Sequence, residues 1–198
     1  MKILQQFEVS HSREKVWEIF DDLSRVASCF PGAQITRPLQ NDSFSGQVAM
    51  TLGPMRLQFK GDGSLSRDKN NWRGTIQGDG ADTVTKSKAS AILAYSLSNS
   101  SEGGTIVQVE VEYKLFGALA QVGRPALVQE VANHLTGEFK KNLNEQIVGE
   151  NPLERQERQS NSSLNVIGLF MRMLAVRFSF FRSLFSRGKN GNLGNRHQ

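Results

Sequence analysis

The feature that most constrains the fold is a change in the spacing of apolar residues along the chain. Between Ala33 and Leu115 apolar residues recur at every second position, as they do in β-strands with one buried face. After Gly123-Arg124-Pro125 they recur about every fourth position, as they do along one face of a helix. We therefore expect a β-sheet followed by a single long helix.

The alternating region divides into six candidate strands. Thr105–Leu115 is the clearest, because Val107, Val109 and Val111 alternate with polar residues. Short turns between the runs predict an antiparallel meander, and these turns are marked by Asn41-Asp42, Gly53-Pro54, Arg67–Asn71 and Asn99–Gly104. The predicted strands are Gln34–Leu39, Phe44–Leu52, Met55–Ser64, Trp72–Gln77, Val84–Leu97 and Thr105–Leu115.

A strand and two short helices are expected before the meander. Ile3–Ser10 alternates well enough to form a strand. Ser12 is a candidate N-cap for the helical run REKVWEIFDDL, and Ser24 for a second short helix that stops at Pro31-Gly32.

The long helix carries one apolar stripe and has recognisable ends. Pro125 suits its first turn and Gly149 its C-terminus. A curved sheet closed by a single helix is an α+β helix-grip arrangement, here over residues 1–149, and it leaves space for an apolar ligand. Alternation directs nine side chains toward that cavity: Phe20, Phe30, Met50, Leu57, Phe59, Leu93, Tyr95, Leu135 and Phe139.

Candidate catalytic groups are few. The histidines, His11, His134 and His197, are far apart and have no neighbour at metal-ligand spacing, so no metal site is expected. Cys29 has no local basic partner and is expected to be a small buried hydrophobe. It cannot form an internal disulfide, and the first residues lack a signal-peptide pattern, so we expect the chain to fold in the cytosol.

Charge separates the body from the tail. Residues 1–160 hold 18 Lys and Arg against 19 Asp and Glu, whereas residues 161–198 hold six basic residues and no acidic one. In the tail these charges alternate with Phe, Leu and Met, which favours a lipid surface over nucleic acid. No nucleic-acid partner is therefore expected.

The tail is expected to lie on a membrane and not to cross it. Its longest uncharged run, Gln159–Met171, is shorter than the roughly 20 apolar residues that a membrane span needs. We predict a polar linker at 150–163, a basic amphipathic membrane-binding helix at 164–188 and a disordered end at 189–198. Docking of the tail on a partner protein, or on its own body, stays open. The predicted membrane-binding residues are Ile167, Phe170, Arg172, Leu174, Arg177, Phe178, Phe181, Arg182, Phe185 and Arg187.

Local motifs resemble those of one protein family. The order of elements resembles the START-like, Bet v 1-like superfamily, also called SRPBCC. Four pieces in the same order are similar to the family of the carbon monoxide dehydrogenase accessory subunit CoxG, with its VW and LAxCxPG signature, its GPVxxxFxG strand, and its GGT and GxLAQxGR stretches. The matching residues are Val16-Trp17 with Arg25–Ala33 (RVASCFPGA), Gly53–Gly61 (GPMRLQFKG), Gly103–Thr105 and Phe116–Arg124 (FGALAQVGR).

The resemblance implies an accessory protein and not an enzyme. Members of that family are found with molybdenum hydroxylases of the carbon monoxide dehydrogenase type, which they are thought to recruit to the cytoplasmic membrane. The expected partners are such a hydroxylase, an anionic membrane surface on the cytoplasmic side, and an apolar small molecule in the cavity. No covalent cofactor is expected, and a quinone is the candidate ligand. The alternative is a START-like cyclase or hydrolase, or a lipid carrier; an enzyme would need converging polar groups, for which Tyr95, Tyr113 and His134 are the candidates.

Overall fold

The computed structural model describes residues 1–52 and 55–149. The predicted turn at Gly53-Pro54, the linker at 150–163, the tail helix at 164–188 and the end at 189–198 lie outside these residues. The predicted membrane-binding side chains lie outside them as well and stay predictions.

The described chain forms seven strands and four helices in the predicted order. Each strand pairs antiparallel with its neighbours, and the order across the sheet is β1-β7-β6-β5-β4-β3-β2. The first strand thus joins the meander beside its last strand, and the α+β helix-grip prediction is confirmed. The elements are β1 Lys2–Val9, α1 Arg13–Phe20, α2 Leu23–Cys29, β2 Ala33–Gln40, β3 Ser43–Leu52, β4 Met55–Asp68, β5 Arg73–Asp82, β6 Ser87–Asn99, β7 Thr105–Phe116, α3 Ala118–Val122 and α4 Pro125–Val148, with a 3-10 turn at Lys69–Asn71.

The apolar face of β7 is directed at the core, as its alternation predicts. Val107 is fully buried and pairs with Phe7 on β1 and with Leu97 on β6. The polar residues between the valines lie on the opposite, convex face, where Gln108 donates to Gln6. Alternation therefore assigns the faces of the central strands correctly.

The start of the second helix differs from the prediction. Asp22, and not Ser24, is the N-cap of α2, and its carboxylate accepts hydrogen bonds from the backbone N–H groups of Ser24 and Arg25 at 2.9 and 3.1 Å. Ser12 does precede α1, but its side chain makes no capping hydrogen bond. An aspartate is as good a cap as a serine, so composition alone did not choose between neighbouring candidates.

The boundaries of the middle strands also differ. β5 continues to Asp82, five residues beyond the predicted end, and β6 begins at Ser87 and not at Val84. β4 runs on to Asp68. Trp72 was predicted to start a strand but adopts the left-handed conformation, with φ of 53°, after the 3-10 turn. The short helix α3 was not predicted.

The long helix begins and ends where predicted. Pro125 occupies its first turn, and Gly149 follows its last residue in the left-handed conformation. α4 packs against β1, α1 and α2. Two amide side chains attach it to the C-terminal carbonyl groups of α2: Asn142 donates to the Cys29 oxygen at 2.9 Å and Gln146 to the Arg25 oxygen at 3.1 Å.

Aromatic side chains fill the space between α1, α4 and the sheet. The ring centroid of Phe20 lies 4.9 Å from that of Tyr95 and 6.0 Å from that of Phe139. Cys29 is fully buried in the same cluster, as expected for a small hydrophobe. The Tyr95 ring extends across β5 so that its hydroxyl lies over Gly74, where a Cβ atom would clash with it.

We predict that Gly74→Ala destabilises the fold by about 1–3 kcal/mol, because an added methyl group would lie 2.5 Å from Cζ of Tyr95. Urea unfolding followed by tryptophan fluorescence measures the change. Gly78→Ala on the same strand is the control, since its Cβ would meet no atom closer than 3.6 Å. Equal midpoints for the two variants would contradict the packing described here.

Candidate functional site

The concave face of the sheet carries two neighbouring cross-strand rows of residues with little or no side chain. Their members are paired across β3 to β6, so the rows form a continuous patch of nearly bare backbone. We call this patch the glycine floor. The first row contains Gly46, Gly61, Gly80 and Ala89, and the second contains Gly63, Gly78 and Ala91.

The glycine floor is open at its centre. A Cβ atom built on Gly78 would meet only the backbone oxygen of Asp62, at 3.6 Å, so no side chain of the described residues comes within 4 Å of that position. At Gly63 the Phe44 ring occupies the equivalent space, 2.6 Å from such an atom. We call the open space over Gly78, between the two walls described below, the concave groove.

One group of the predicted cavity residues forms a wall at one end of the glycine floor. Leu93 is two residues after Ala91 on the same face of β6, and Tyr95 is two residues after Leu93. Phe20 packs on Tyr95, and Phe139 packs on Phe20, as part of the core cluster. Phe20 and Tyr95 are only 5% and 4% exposed, so they close this end of the groove and present little free surface to it.

A second group forms the wall at the opposite end. Phe59 is two residues before Gly61 on the same face of β4, and Leu57 is two residues before Phe59. Met50 on β3 is the cross-strand partner of Leu57. Along the strand direction the two rows of the glycine floor lie between the two groups, so the groups form two walls and not one continuous lining.

Phe30 and Leu135 come from the end of α2 and from α4 and not from the strands that carry the glycine floor. Phe30 is half-buried and follows the last residue of α2. Leu135 is half-buried on α4, one turn before Phe139. Their place as ligand contacts stays a prediction.

Sequence reasoning identified the walls and missed the floor. Alternation of apolar residues identifies the face to which apolar side chains point. A glycine has no side chain, so it adds no signal to that pattern. A signal was nevertheless present: the triplet Gly-Asp-Gly occurs at 61–63 and again at 78–80. The two triplets pair with each other across β4 and β5, which places four glycines together on the concave face.

The polar groups considered for catalysis do not converge. Tyr113 pairs with Ala91, four residues along β6 from Tyr95, which corresponds to about 13 Å. His134 is exposed on α4. Burial raises the pKa of Tyr95 to about 12, so its phenol stays protonated, and its hydroxyl has no hydrogen-bond partner among the described residues. Burial also raises the pKa of Tyr113, whose hydroxyl faces the Met1 sulfur at 3.6 Å.

A buried aspartate holds the rim of the concave groove beside Phe59. The carboxylate of Asp82 accepts backbone N–H groups from Gln58, Val84 and Thr85 at 2.5, 2.8 and 2.9 Å. These donors hold its pKa below the usual 3.8, with the Thr85 N–H as the largest cause. Asp82 thus connects the end of β5 and the following turn to the start of β4.

Two further properties of the described part of the chain bear on function. Within residues 1–52 and 55–149, no cluster of three or more His, Cys, Asp or Glu side chains could hold a metal ion. No helix in the same ranges has both the length and the hydropathy to cross a membrane.

The sequence profile of one family matches most of the chain. The family is that of CoxG, described as the G subunit of carbon monoxide dehydrogenase, and the match covers residues 6–148. The chain belongs to the CoxG family. The matched range contains the glycine floor and both of its walls. No curated protein matches the chain.

Solved structures agree with the fold. A conserved protein from Geobacillus kaustophilus superposes with a TM-score of 0.66 at 15% identity, covering 75% of this chain and 95% of the other. A protein from Thermus thermophilus gives 0.53 at 12% identity, covering 72% and 97%. A protein from Deinococcus radiodurans gives 0.51 at 12% identity, covering 75% and 99%. At these identities the likeness establishes the helix-grip fold alone.

We predict that Asp82→Asn destabilises the protein by about 1–3 kcal/mol at neutral pH, because an amide is a weaker acceptor for three backbone donors. Since the folded-state pKa is depressed, the stability contributed by the carboxylate is present above pH 3.8 and is lost as the pH falls through the lower, folded-state value. Urea unfolding at several pH values compares the variant with the unaltered protein. A difference in unfolding free energy between the two proteins that stays constant below pH 3.8 would contradict this role.

Proposed function

We propose that this CoxG protein is a non-catalytic accessory protein. In this proposal its tail tethers a carbon monoxide dehydrogenase-type molybdenum hydroxylase to the cytoplasmic face of the cell membrane, and its concave groove binds an apolar molecule such as a quinone. The observation that carries the binding role is the open glycine floor between two apolar walls. Family membership supports the link to the hydroxylase.

The groove favours binding over catalysis. Its walls are apolar, with half-buried Met50, Phe59 and Leu93 nearest to the floor. The floor lets a ligand approach the backbone of β4 and β5 closely. General acid–base catalysis needs positioned groups that can exchange a proton near neutral pH. Tyr95 and Tyr113 have raised pKa values and lie apart, which argues against a cyclase or hydrolase built on them.

The ligand is proposed from the chemistry of the partner. A hydroxylase that oxidises its substrate must pass electrons to an acceptor, and the membrane holds its electron acceptors in an apolar phase. A protein that binds both the hydroxylase and the membrane can present a quinone to the enzyme. The apolar walls and the glycine floor, which is nearly free of side chains, suit a planar ring that carries an apolar chain.

The tether is proposed from the sequence of the tail. Six basic residues and no acidic one lie in 161–198, and each is worth on the order of 1 kcal/mol near an anionic surface. Phe178, Phe181 and Phe185 provide apolar side chains that can enter the interface beneath the headgroups. The body would then hang below the membrane on the polar linker.

Co-sedimentation with anionic liposomes tests the tether. We expect the full chain to pellet with the vesicles at low salt, and pelleting to weaken at moderate salt because the basic residues are then screened. A chain ending at Asn161, and a full chain carrying Phe170→Ser, Phe178→Ser and Phe181→Ser, should both stay in the supernatant.

The same assay tests recruitment when purified hydroxylase is added. The hydroxylase should pellet with the full chain and stay in solution with the chain ending at Asn161, although that shorter chain still binds it. Circular dichroism confirms that the shortened chain is folded. Equal failure of all forms to pellet would rule out the tether and make the tail a protein-docking segment.

A further inference from the structure

We propose that one end of the folded body is a second membrane contact, which docks on an anionic lipid surface and turns the concave groove toward it. This end, which we call the basic tip, comprises the turn at 83–86, the adjoining ends of β6 and β7, and the segment 117–124 before α4, with Arg56 and Lys60 beside them on β4. The inference rests on the proposed function, because it names the surface through which the tethered body meets the membrane.

The first observation is the charge of the basic tip. The carboxylate of Asp82, which precedes the turn, is buried and bound by three backbone N–H groups, so it does not face solvent. On the convex face, the acidic residues Asp79 and Glu112 lie further from this end of the sheet than Lys88 does. The ranges 56–60, 83–90 and 114–126 contain six basic residues, all exposed, and no acidic one: Arg56, Lys60, Lys86, Lys88, Lys114 and Arg124.

The second observation is a set of apolar side chains exposed among these charges. Val84 is 87% exposed, Phe116 is 52% exposed and Val122 is 38% exposed. Apolar side chains surrounded by basic ones are typical of surfaces that enter the headgroup region of a membrane. In water these three side chains gain nothing from their exposure, whereas lipid would remove them from solvent.

The third observation is that the parts of the basic tip are joined. The Ser87 hydroxyl accepts the backbone N–H of Leu119 at 3.1 Å, which connects β6 to α3. A Cβ atom on Gly117 would clash with the carbonyl oxygen of Lys86, so these two backbones are in contact. The turn at 83–86 and the start of α3 therefore form one surface.

The composition of the basic tip favours lipid over an acidic protein. Four of the six basic residues are lysine, and lysine is depleted in protein interfaces. A protein partner would also need pockets that fit the apolar anchors. Val84 and Phe116 project from a turn and from the end of a strand. Mobile anionic headgroups adjust to such side chains and attract the lysines around them.

The basic tip adjoins the glycine floor. Ala89, in the first row of the floor, follows Lys88 directly on β6. Tyr95, in the aromatic wall that closes the other end, is six residues beyond Ala89, which corresponds to about 20 Å. A body docked by its basic tip thus directs the nearer row of the floor toward lipid. An apolar ligand would then have a short path between the membrane and the groove.

The basic tip is expected to be the weaker of the two membrane contacts. A small surface gains little once the loss of translational and rotational freedom on association is counted. The tether removes most of that cost by holding the body at a high local concentration beside the membrane. The chain ending at Asn161 is therefore still expected to stay in the supernatant, and the tip sets the orientation of the tethered body.

Environment-sensitive dyes on single introduced cysteines test the proposal in the full chain. Val84→Cys and Phe116→Cys place the dye on the basic tip. Leu4→Cys is the matched control, because this apolar side chain is 65% exposed and pairs with Glu110, six residues along β7 from Phe116, or about 20 Å. Cys29 is fully buried and stays unlabelled.

We expect anionic vesicles to raise the emission of both tip dyes at least about twofold, because the dyes pass from water into an apolar phase. A quencher attached to the lipid chains should then reduce that emission. The dye at residue 4 should change little, although the same tether holds it. Equal changes at all three positions, or no change at the two tip positions, would overturn the proposal.

Charge reversal tests the role of the lysines. In the Val84→Cys protein, Lys88→Glu combined with Lys114→Glu should remove most of the dye response, since the tip then repels anionic headgroups. Lys140→Glu combined with Lys141→Glu makes the same change in net charge at exposed positions of α4 and should leave the response intact. Circular dichroism checks that both variants are folded. An undiminished response in the tip variant would contradict the basic tip.

Pelleting is scored in the same samples, so this proposal and the proposed function fail separately. Protein that pellets while its tip dyes stay unchanged contradicts the basic tip and leaves the tether standing. Tip dyes that respond in a protein from which no apolar molecule copurifies support the membrane contact and contradict the proposed ligand. Tip dyes that respond to purified hydroxylase and not to vesicles would make this end a protein interface and overturn the proposal.

Discussion

A single helix about 10 Å across cannot cover the concave face of a seven-stranded sheet about 29 Å wide. The positions of α4, of α2 against β2 and of α1 against β6 therefore decide together where uncovered surface lies. Asn142 and Gln146 hold α4 against α2, and the aromatic contact between Phe7 and Phe139 holds it against β1. These contacts place α4 at the β1 side of the sheet, and on β5 no described side chain comes within 4 Å of a Cβ atom built on Gly78.

The pairing of β4 with β5 determines what that open face looks like. The two Gly-Asp-Gly triplets meet in antiparallel register, so that glycine lies opposite glycine on the concave side. The aspartates between them, Asp62 and Asp79, face the convex side, where Arg37 and Ser45 bind Asp62 at 3.2 and 2.6 Å. The charges stay in solvent, and the groove receives a bare floor between two apolar walls. The proposed binding role rests on this geometry.

The elements that sequence periodicity predicts well are those in which side chains supply the signal. β7 and α4 were correct because Val107 and its alternating neighbours, and the stripe through Leu143, report burial directly. β5 was ended too early because Gly78 and Gly80 suggest turns, whereas here they continue a strand. The left-handed conformation of Trp72 and the N-cap role of Asp22 depend on local backbone geometry, which residue propensity does not specify. Alternation named several side chains that lie on the two walls, whereas the floor is visible only from the strand register.

The most direct test of the account is whether an apolar molecule copurifies with the protein, and which one. Organic extraction and mass spectrometry would compare the unaltered chain with Gly78→Leu, which fills the open space on the glycine floor, and with Gln77→Leu, the neighbouring change on the convex face. The account predicts a quinone at near-equimolar amounts in the unaltered and Gln77→Leu proteins and little in Gly78→Leu. Recovery of phospholipid alone, or equal quinone in all three, would contradict it.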